Sequence, residues 1–366
     1  MIDAAARQRL DALEEKILAG QRISSAEGLD LLEHESLVEL GAMADLVRRR
    51  KHPDRVVTYV IDRNVNYTNV CNAFCSFCAF YRPPNHAQGY VLSAQEIERK
   101  IRETFDLGGN QILLQGGHNP RLKIDYYEEL FRRLKAAFPG LWLHALSPPE
   151  VIHICRVSRI SVAEAVRRLR EAGLDSIPGG GAEILVDAVR ERMMKNKASA
   201  AEWLAVMEEA HRQGLRSTAT MMFGHIETRA DRIEHMEKVR TLQDATAGFT
   251  AFIGWTYQPG NTEMGGTEAS TAEYLRTMAV ARIFLDNFLN IQASWVTQGP
   301  KVGAASLAFG VNDMGSTMIE ENVVSAAGTA HQMNEMEIVA AVRDAGFVPA
   351  RRNMLYERLA TPALPA

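Results

Sequence analysis

The sequence predicts an α/β protein, a (βα)8 TIM-like barrel with an N-terminal helical cap, and three observations carry that expectation. From about residue 58 onward, short apolar or β-branched runs alternate with longer amphipathic stretches, the rhythm of parallel βα units with crossover helices. Eight such runs can be counted, the number a closed barrel needs, with an open doubly wound sheet as the structural alternative. Glycine and polar residues collect after the runs, and in a βα barrel the C-terminal strand ends form the rim that carries chemistry.

The elements follow in order. Residues 1–55 form the helical cap: Leu10, Leu13 and Ile17 recur at helical spacing, and Ser24-Ser25-Ala26-Glu27 offers a capping box with Ser24 as N-cap. The run Arg48-Arg49-Arg50-Lys51 reads as a solvated helix end rather than a binding patch. Residues 56–366 then form the barrel with a C-terminal extension. Strands are expected over 64–69, 111–115, 141–146, 176–178, 217–222, 249–257, 291–296 and 308–311. Helices are expected over 94–107, 125–138, 162–172, 200–213, 233–244 and 271–288. The rim then comprises Cys71, Gln115-Gly116-Gly117-His118, Ser147-Pro148, Gly179-Gly180-Gly181, Gly224-His225, Gln258-Pro259-Gly260, Thr297-Gln298-Gly299 and Asn312-Asp313.

Composition narrows the function. The 41 basic and 45 acidic residues give a formal charge of −4, which disfavours nucleic acid as the main ligand. A chain of 366 residues buries roughly three quarters of its unfolded surface and needs no disulfide staples. Residues 1–18 lack the apolar region of a signal peptide, and no run approaches eighteen apolar residues, so a cytoplasmic protein without membrane insertion is expected. Of the four cysteines, three fall within eight residues, which favours metal ligation over cross-linking.

Those three form Cys71-Asn72-Ala73-Phe74-Cys75-Ser76-Phe77-Cys78, a C-x3-C-x2-C motif. Thiolates are soft ligands suited to iron–sulfur clusters, zinc or copper(I). A structural zinc needs four protein ligands, which here would require His118 or His153 to close the site; that non-catalytic module is the alternative reading. Cys155 stands alone and reads as a small core hydrophobe. Three thiolates on a four-iron cluster leave one iron open for substrate chemistry. This spacing at the first strand of a βα barrel resembles the radical S-adenosylmethionine (SAM) enzymes.

The resemblance implies a [4Fe-4S] cluster on Cys71, Cys75 and Cys78, with SAM chelating the open iron. Reductive cleavage of SAM would give a 5′-deoxyadenosyl radical that takes hydrogen from substrate. Phe77 resembles the family's aromatic residue near the adenine, and Gly116-Gly117 the glycine element whose backbone meets the methionine amino group. Pro178-Gly179-Gly180-Gly181-Ala182-Glu183 lacks the ending of a P-loop and the spacing of a dinucleotide motif. Glu183 is therefore expected to accept from a ribose hydroxyl or the SAM amine, or else to serve as an acidic first-turn residue of a helix. His118 and Asp313 are candidates for proton transfer, and His225 and Gln258 for substrate binding.

The resemblance extends to one subgroup through Asn66-Tyr67-Thr68-Asn69-Val70-Cys71, Cys78-Ala79-Phe80-Tyr81-Arg82, Gln115–Pro120 and Ile177–Glu183. This subgroup holds the two radical SAM families of menaquinone biosynthesis and the deazaflavin (F0) synthase subunits. The segments Val57–Asn64 and Gly254-Trp255-Thr256-Tyr257-Gln258-Pro259-Gly260-Asn261-Thr262 most resemble the futalosine-cyclising family. That implies hydrogen abstraction at a ribose C4′ and C–C bond formation within a nucleoside-derived small molecule. It also implies an electron donor such as flavodoxin or ferredoxin. Addition of the adenosyl radical, as in aminofutalosine synthases, is the neighbouring chemistry.

Overall fold

Among the described residues (4–34, 36–329 and 331–359 of the computed structural model), ten strands form one parallel sheet. They are β1 (Val56–Val60), β2 (Asp62–Asn66), β3 (Gln111–Gln115), β4 (Trp142–Ala145), β5 (Ser176–Ile177), β6 (Arg216–Phe223), β7 (Phe249–Thr256), β8 (Asn290–Gln292), β9 (Asp313–Ser316) and β10 (Val348–Arg351). Their spatial order is β10-β1-β9-β8-β7-β6-β5-β4-β3-β2.

The two ends of that order meet. β1 and β2 are one course of chain interrupted at Ile61; β1 pairs with β9 and β2 with β3. Beyond β9, the Thr317 and Ile319 amides donate to the Val60 and Asp62 carbonyls at 3.0 and 3.1 Å, and the Asn64 amide to the Glu320 carbonyl at 3.3 Å. Counting β1 and β2 as one stave, and adding β3 to β9, the wall has the eight staves the sequence predicts. β10 is an addition beside β1.

Several boundaries differ from expectation for local reasons. The run 308–311 is not a strand: Leu307–Phe309 is a 3₁₀ turn ended by Gly310 at φ 90°, and β9 begins at Asp313. β8 is shorter than 291–296 because Trp295 opens a helical turn. The first strand begins eight residues before 64, and residues 67–69 already belong to the loop that follows β2. A helix over Pro148–Ser158 stands where the sequence suggests only a connection. Its prolines occupy the first turn, where a missing N–H costs nothing, and Cys155 lies buried within it.

In the cap, Ser24 and Glu27 form the expected capping box. Helices Ser25–Glu33 and Leu37–Lys51 pack on the barrel helix Thr271–Phe284. A Cβ at Gly28 would stand 2.7 Å from the Phe284 ring. The basic run does end its helix, yet it is not uniformly solvated: Arg48 is 1% exposed, pairs with Asp45 at 2.8 Å and lies over Phe347.

At the other end of the chain, residues after β10 turn back beneath the wall, Leu359 donating to the Arg351 carbonyl at 2.9 Å. Arg352 binds Asp313 through two nitrogens at 2.5 and 2.9 Å, and the Tyr356 hydroxyl reaches Gln292 of β8.

Candidate active site

The loop after β2 carries the cysteines. It is fastened at its far side by Arg82, whose backbone bonds Asn69 and Cys71 and whose guanidinium donates to the carbonyls of Ala79, Phe80 and Tyr81. Phe74, at φ 52°, supplies the left-handed turn between Cys71 and Cys75, and the Cys78 amide donates to the Cys75 carbonyl at 3.1 Å. All three thiols are free of disulfides, and they line one cavity of about 210 Å³ with Phe77, Gly116, Gly117, His118 and Glu183.

The donor set fits an iron–sulfur cluster. The Ala73 amide donates to Cys71 Sγ at 3.4 Å; Cys78 is raised by burial, opposed by the backbone amides of Tyr81 and Phe80. Amide bonds to sulfur are a standard means of supporting thiolates around such clusters. Burial, with Lys197 opposing and Cys78, Cys71 and Glu183 adding to it, pushes the Cys75 thiol up to about 12, so bound iron would have to displace its proton. Among the described residues no three His, Cys, Asp or Glu side chains are gathered closely enough to hold a single metal ion.

β3 delivers its glycines against this loop. A Cβ at Gly116 would lie 2.7 Å from the Tyr67 ring, and one at Gly117 2.4 Å from the Val70 carbonyl, so only glycine permits the approach. Their amides are already engaged: Gly116 donates to Glu150 and Gly117 to the Thr68 carbonyl, each at 2.9 Å.

Glu150 is a site residue that the sequence reading missed. Its buried carboxylate accepts from Gly116, the Tyr67 hydroxyl, and the Ser147 amide and hydroxyl at 2.7–2.9 Å. It ties the ends of β2, β3 and β4 together. The available signal was the Ser-x-x-Glu capping box at Ser147.

Glu183 faces the same cavity, at φ 43°. It lies four residues before the helix Asp187–Met194, so the first-turn alternative is set aside. Its carboxylate pairs with Lys197 at 2.8 Å, and Lys197 lies 5.4 Å from the Phe77 ring centroid. Arg190 fixes this glycine loop by donating to the carbonyls of Gly181, Ala182, Ile184 and Ala198. Neither Lys197 nor Arg190 belongs to a recognisable motif, and only the fold brings them here.

His118 is buried and stacks on His153, ring centroids 5.1 Å apart. Burial, then Lys197, His153 and Arg156, holds its pKa well below the usual histidine range. It is neutral at pH 7 and a weak base, because the same surroundings disfavour its protonated form.

Three candidates stay outside the cysteine cavity: His225 and Gln258 follow β6 and β7 on the rim as expected, and Asp313 does not. Asp313 is at the start of β9, not after a strand, and is completely buried. Thr58 and Arg352 saturate its carboxylate, so it does not join the cavity as a base. His225 has its ring bonded to the Glu227 carboxylate at 3.0 Å and near the Met222 carbonyl at 3.1 Å. Gln258 donates to Thr256 and accepts from Thr329 at 2.6 Å, fixing loops above β7. Neither lines the cysteine cavity; Trp255, three residues before Gln258, does.

A three-cysteine loop at the first stave of a parallel βα barrel defines a radical SAM enzyme. The family model described as "Radical SAM superfamily" matches residues 65–239, and one described as "CofH/MqnC C-terminal region" matches 246–364. The chain is 48% identical over 353 residues to the cyclic dehypoxanthine futalosine synthase of Halalkalibacterium halodurans, covering 96% of this chain and 95% of that one. It is also 48% identical to the Streptomyces coelicolor protein of the same name, covering 98% and 90%. The aminodeoxyfutalosine synthase of Thermus thermophilus is 38% identical over 96% of each chain. The chain belongs to the radical SAM superfamily and, within it, to the family of the cyclic dehypoxanthine futalosine synthases. The hydrogenase maturase HydG of Carboxydothermus hydrogenoformans shares the fold, at TM-score 0.74 and 16% identity over 96% of this chain and 81% of that one. Methylornithine synthase PylB does likewise, at TM-score 0.71 and 20% identity over 93% and 97%.

Proposed function

We propose that this protein cyclises dehypoxanthine futalosine to its cyclic product in the futalosine route to menaquinone. The observation that carries the reading is the 48% identity, at nearly full length, to two cyclic dehypoxanthine futalosine synthases, against 38% for the aminodeoxyfutalosine synthase. Cys71, Cys75 and Cys78 would hold a [4Fe-4S] cluster. With SAM bound, that group supplies a 5′-deoxyadenosyl radical able to take hydrogen from the ribose C4′ of the substrate.

The chain's own residues do the rest. Gly116 and Gly117 offer carbonyl oxygens to the SAM amine, with Glu183 as a carboxylate acceptor on the opposite wall, and Phe77 gives an apolar face. Tyr81, Trp255 and Val323 add apolar side chains to the cavity lining, and the exclusion of water by such surfaces protects a radical from quenching. His118, a neutral imidazole on the cavity wall, would take up at a ring nitrogen the proton lost when the ring regains aromaticity, and the accompanying electron would pass back to the oxidised cluster. A low-potential protein of the flavodoxin or ferredoxin class supplies the electron.

The test is an anaerobic assay with dehypoxanthine futalosine, SAM and reductant. Equimolar 5′-deoxyadenosine and a cyclised product lighter by two hydrogens are expected. Deuterium placed at C4′ should appear in the 5′-deoxyadenosine; its absence would favour adenosyl addition.

A further inference from the structure

We propose that Gln115 and Trp255 are the substrate-recognition pair of the cavity, the carboxamide binding hydroxyls of the sugar and the indole stacking on the aryl ring. This rests on the cyclisation reading above and adds to it the two side chains that hold the two halves of the substrate. β3 and β7 are the second and sixth of the eight staves, so they stand opposite each other around the wall. Near the C-terminal end of each is an inward residue that lines the cysteine cavity, Gln115 on β3 and Trp255 on β7.

Free hydrogen-bonding capacity singles these two out. Asn66, the register partner of Gln115, donates to the Gln115 carbonyl and accepts from Asn322. The Thr220 hydroxyl donates to the Gly179 carbonyl at 2.6 Å, and Gln298 donates to Thr256. Among the described residues, neither the Gln115 carboxamide nor the Trp255 indole N–H has a hydrogen-bond partner, although polar groups inside a protein ordinarily find one. Both residues stay partly exposed inside the barrel wall. Shape also places the carboxamide: a Cβ at Gly180, beyond β5, would stand 2.4 Å from Gln115 Nε2. Gln115 directly precedes Gly116-Gly117. A sugar bonded to it therefore lies beside those glycines, and the aryl ring extends across the mouth to the indole. A carboxamide both donates and accepts, which suits neighbouring hydroxyls, and an indole offers a large flat face.

The experiment is calorimetric titration of dehypoxanthine futalosine into the anaerobically reconstituted full chain with SAM and no reductant, so that nothing turns over. Gln115→Met should weaken substrate binding about tenfold, the loss of a hydrogen bond. Trp255→Leu should weaken it by about the same factor, and Trp255→Phe, which keeps a ring, by less than about threefold. SAM affinity without substrate should stay at the parent value in each. Substrate analogues lacking the 2′- or the 3′-hydroxyl supply a readout that a structural role would not move. The analogue missing the hydroxyl that Gln115 binds should lose affinity for the parent but not for Gln115→Met. Parent-like substrate affinity in Gln115→Met or Trp255→Leu would overturn the proposal, as would a fall in SAM affinity or analogue losses as large in Gln115→Met as in the parent. If Gln115→Met takes up no cluster, Gln115→Asn, which withdraws the amide by one methylene, decides in its place, and Trp255→Met replaces Trp255→Leu likewise. A parent that does not bind dehypoxanthine futalosine overturns the cyclisation reading and this assignment with it, whereas a binding parent with unaffected variants overturns the assignment alone.

Discussion

Cys155 and Cys75 are both buried free thiols, but only one sits among other sulfurs. Cys71→Ala, Cys75→Ala and Cys78→Ala should each abolish stable cluster uptake, measured by iron content and visible absorbance. Cys155→Ala should leave the cluster unchanged and cost about 1 kcal/mol of stability, the loss of one small core atom. His118→Asn is expected to separate two steps. 5′-Deoxyadenosine formation should continue, while cyclised product falls by about 10²–10⁴-fold. Unaffected product would place the base elsewhere on the cavity wall. The cysteine motif was legible because its ligands are neighbours in sequence. The roles of His225, Gln258 and Asp313 were not, because each is decided by a partner that spacing does not reveal. Glu227 takes the first, Thr329 lies 71 residues from the second, and Arg352 lies 39 from the third.

Among the elements, the turn from β4 into the helix Pro148–Ser158 carries the most site architecture in the fewest residues. Ser147 and Glu150 begin the helix, and the same carboxylate holds Gly116 and Tyr67. Burial raises the Glu150 pKa, while the Ser147, Gly116 and Tyr67 bonds oppose it. Glu150→Ala would strand several buried donors, so a loss of at least about 3 kcal/mol is expected, from ~1–3 kcal/mol per unsatisfied group. Urea unfolding measures it. Weaker SAM binding by the variant that remains folded should accompany it, because Gly116 loses its anchor. The alternation of strands and helices was readable from hydrophobic rhythm. The element ends were not: an apolar run such as 308–311 satisfies either a strand or a short buried turn, and only Gly310 marks the difference.

For the molecule as a whole, acid should be the weak side. Burial holds His144 and His235 at about 3 and His211 at about 4, whereas unfolded histidine titrates near 6.5. The unfolded chain therefore binds more protons below about pH 6.5, and stability falls as pH drops toward 4. The slope is about 1.4 kcal/mol per pH unit for each histidine. Glu227, which burial would raise but His225 and Arg232 pull down to about 2, adds a further loss below about pH 4.5. Thermal midpoints from pH 7.5 to 4.5 test this; a flat profile would contradict it. Arg352→Met should cost about 3–5 kcal/mol by leaving Asp313 buried without its cation, again read by urea unfolding.

That ion pair also sets an order of events on the ribosome. The first stave emerges early, yet its neighbour on one side is β9 with the segment to Glu320, and β10 and Arg352 follow later still. While a nascent chain is being synthesised, β1 therefore presents an unpaired edge until nearly the whole polypeptide has left the exit tunnel. A stalled or truncated chain lacking residues beyond 312 would keep that edge unpaired and should be a substrate for chaperones and proteases.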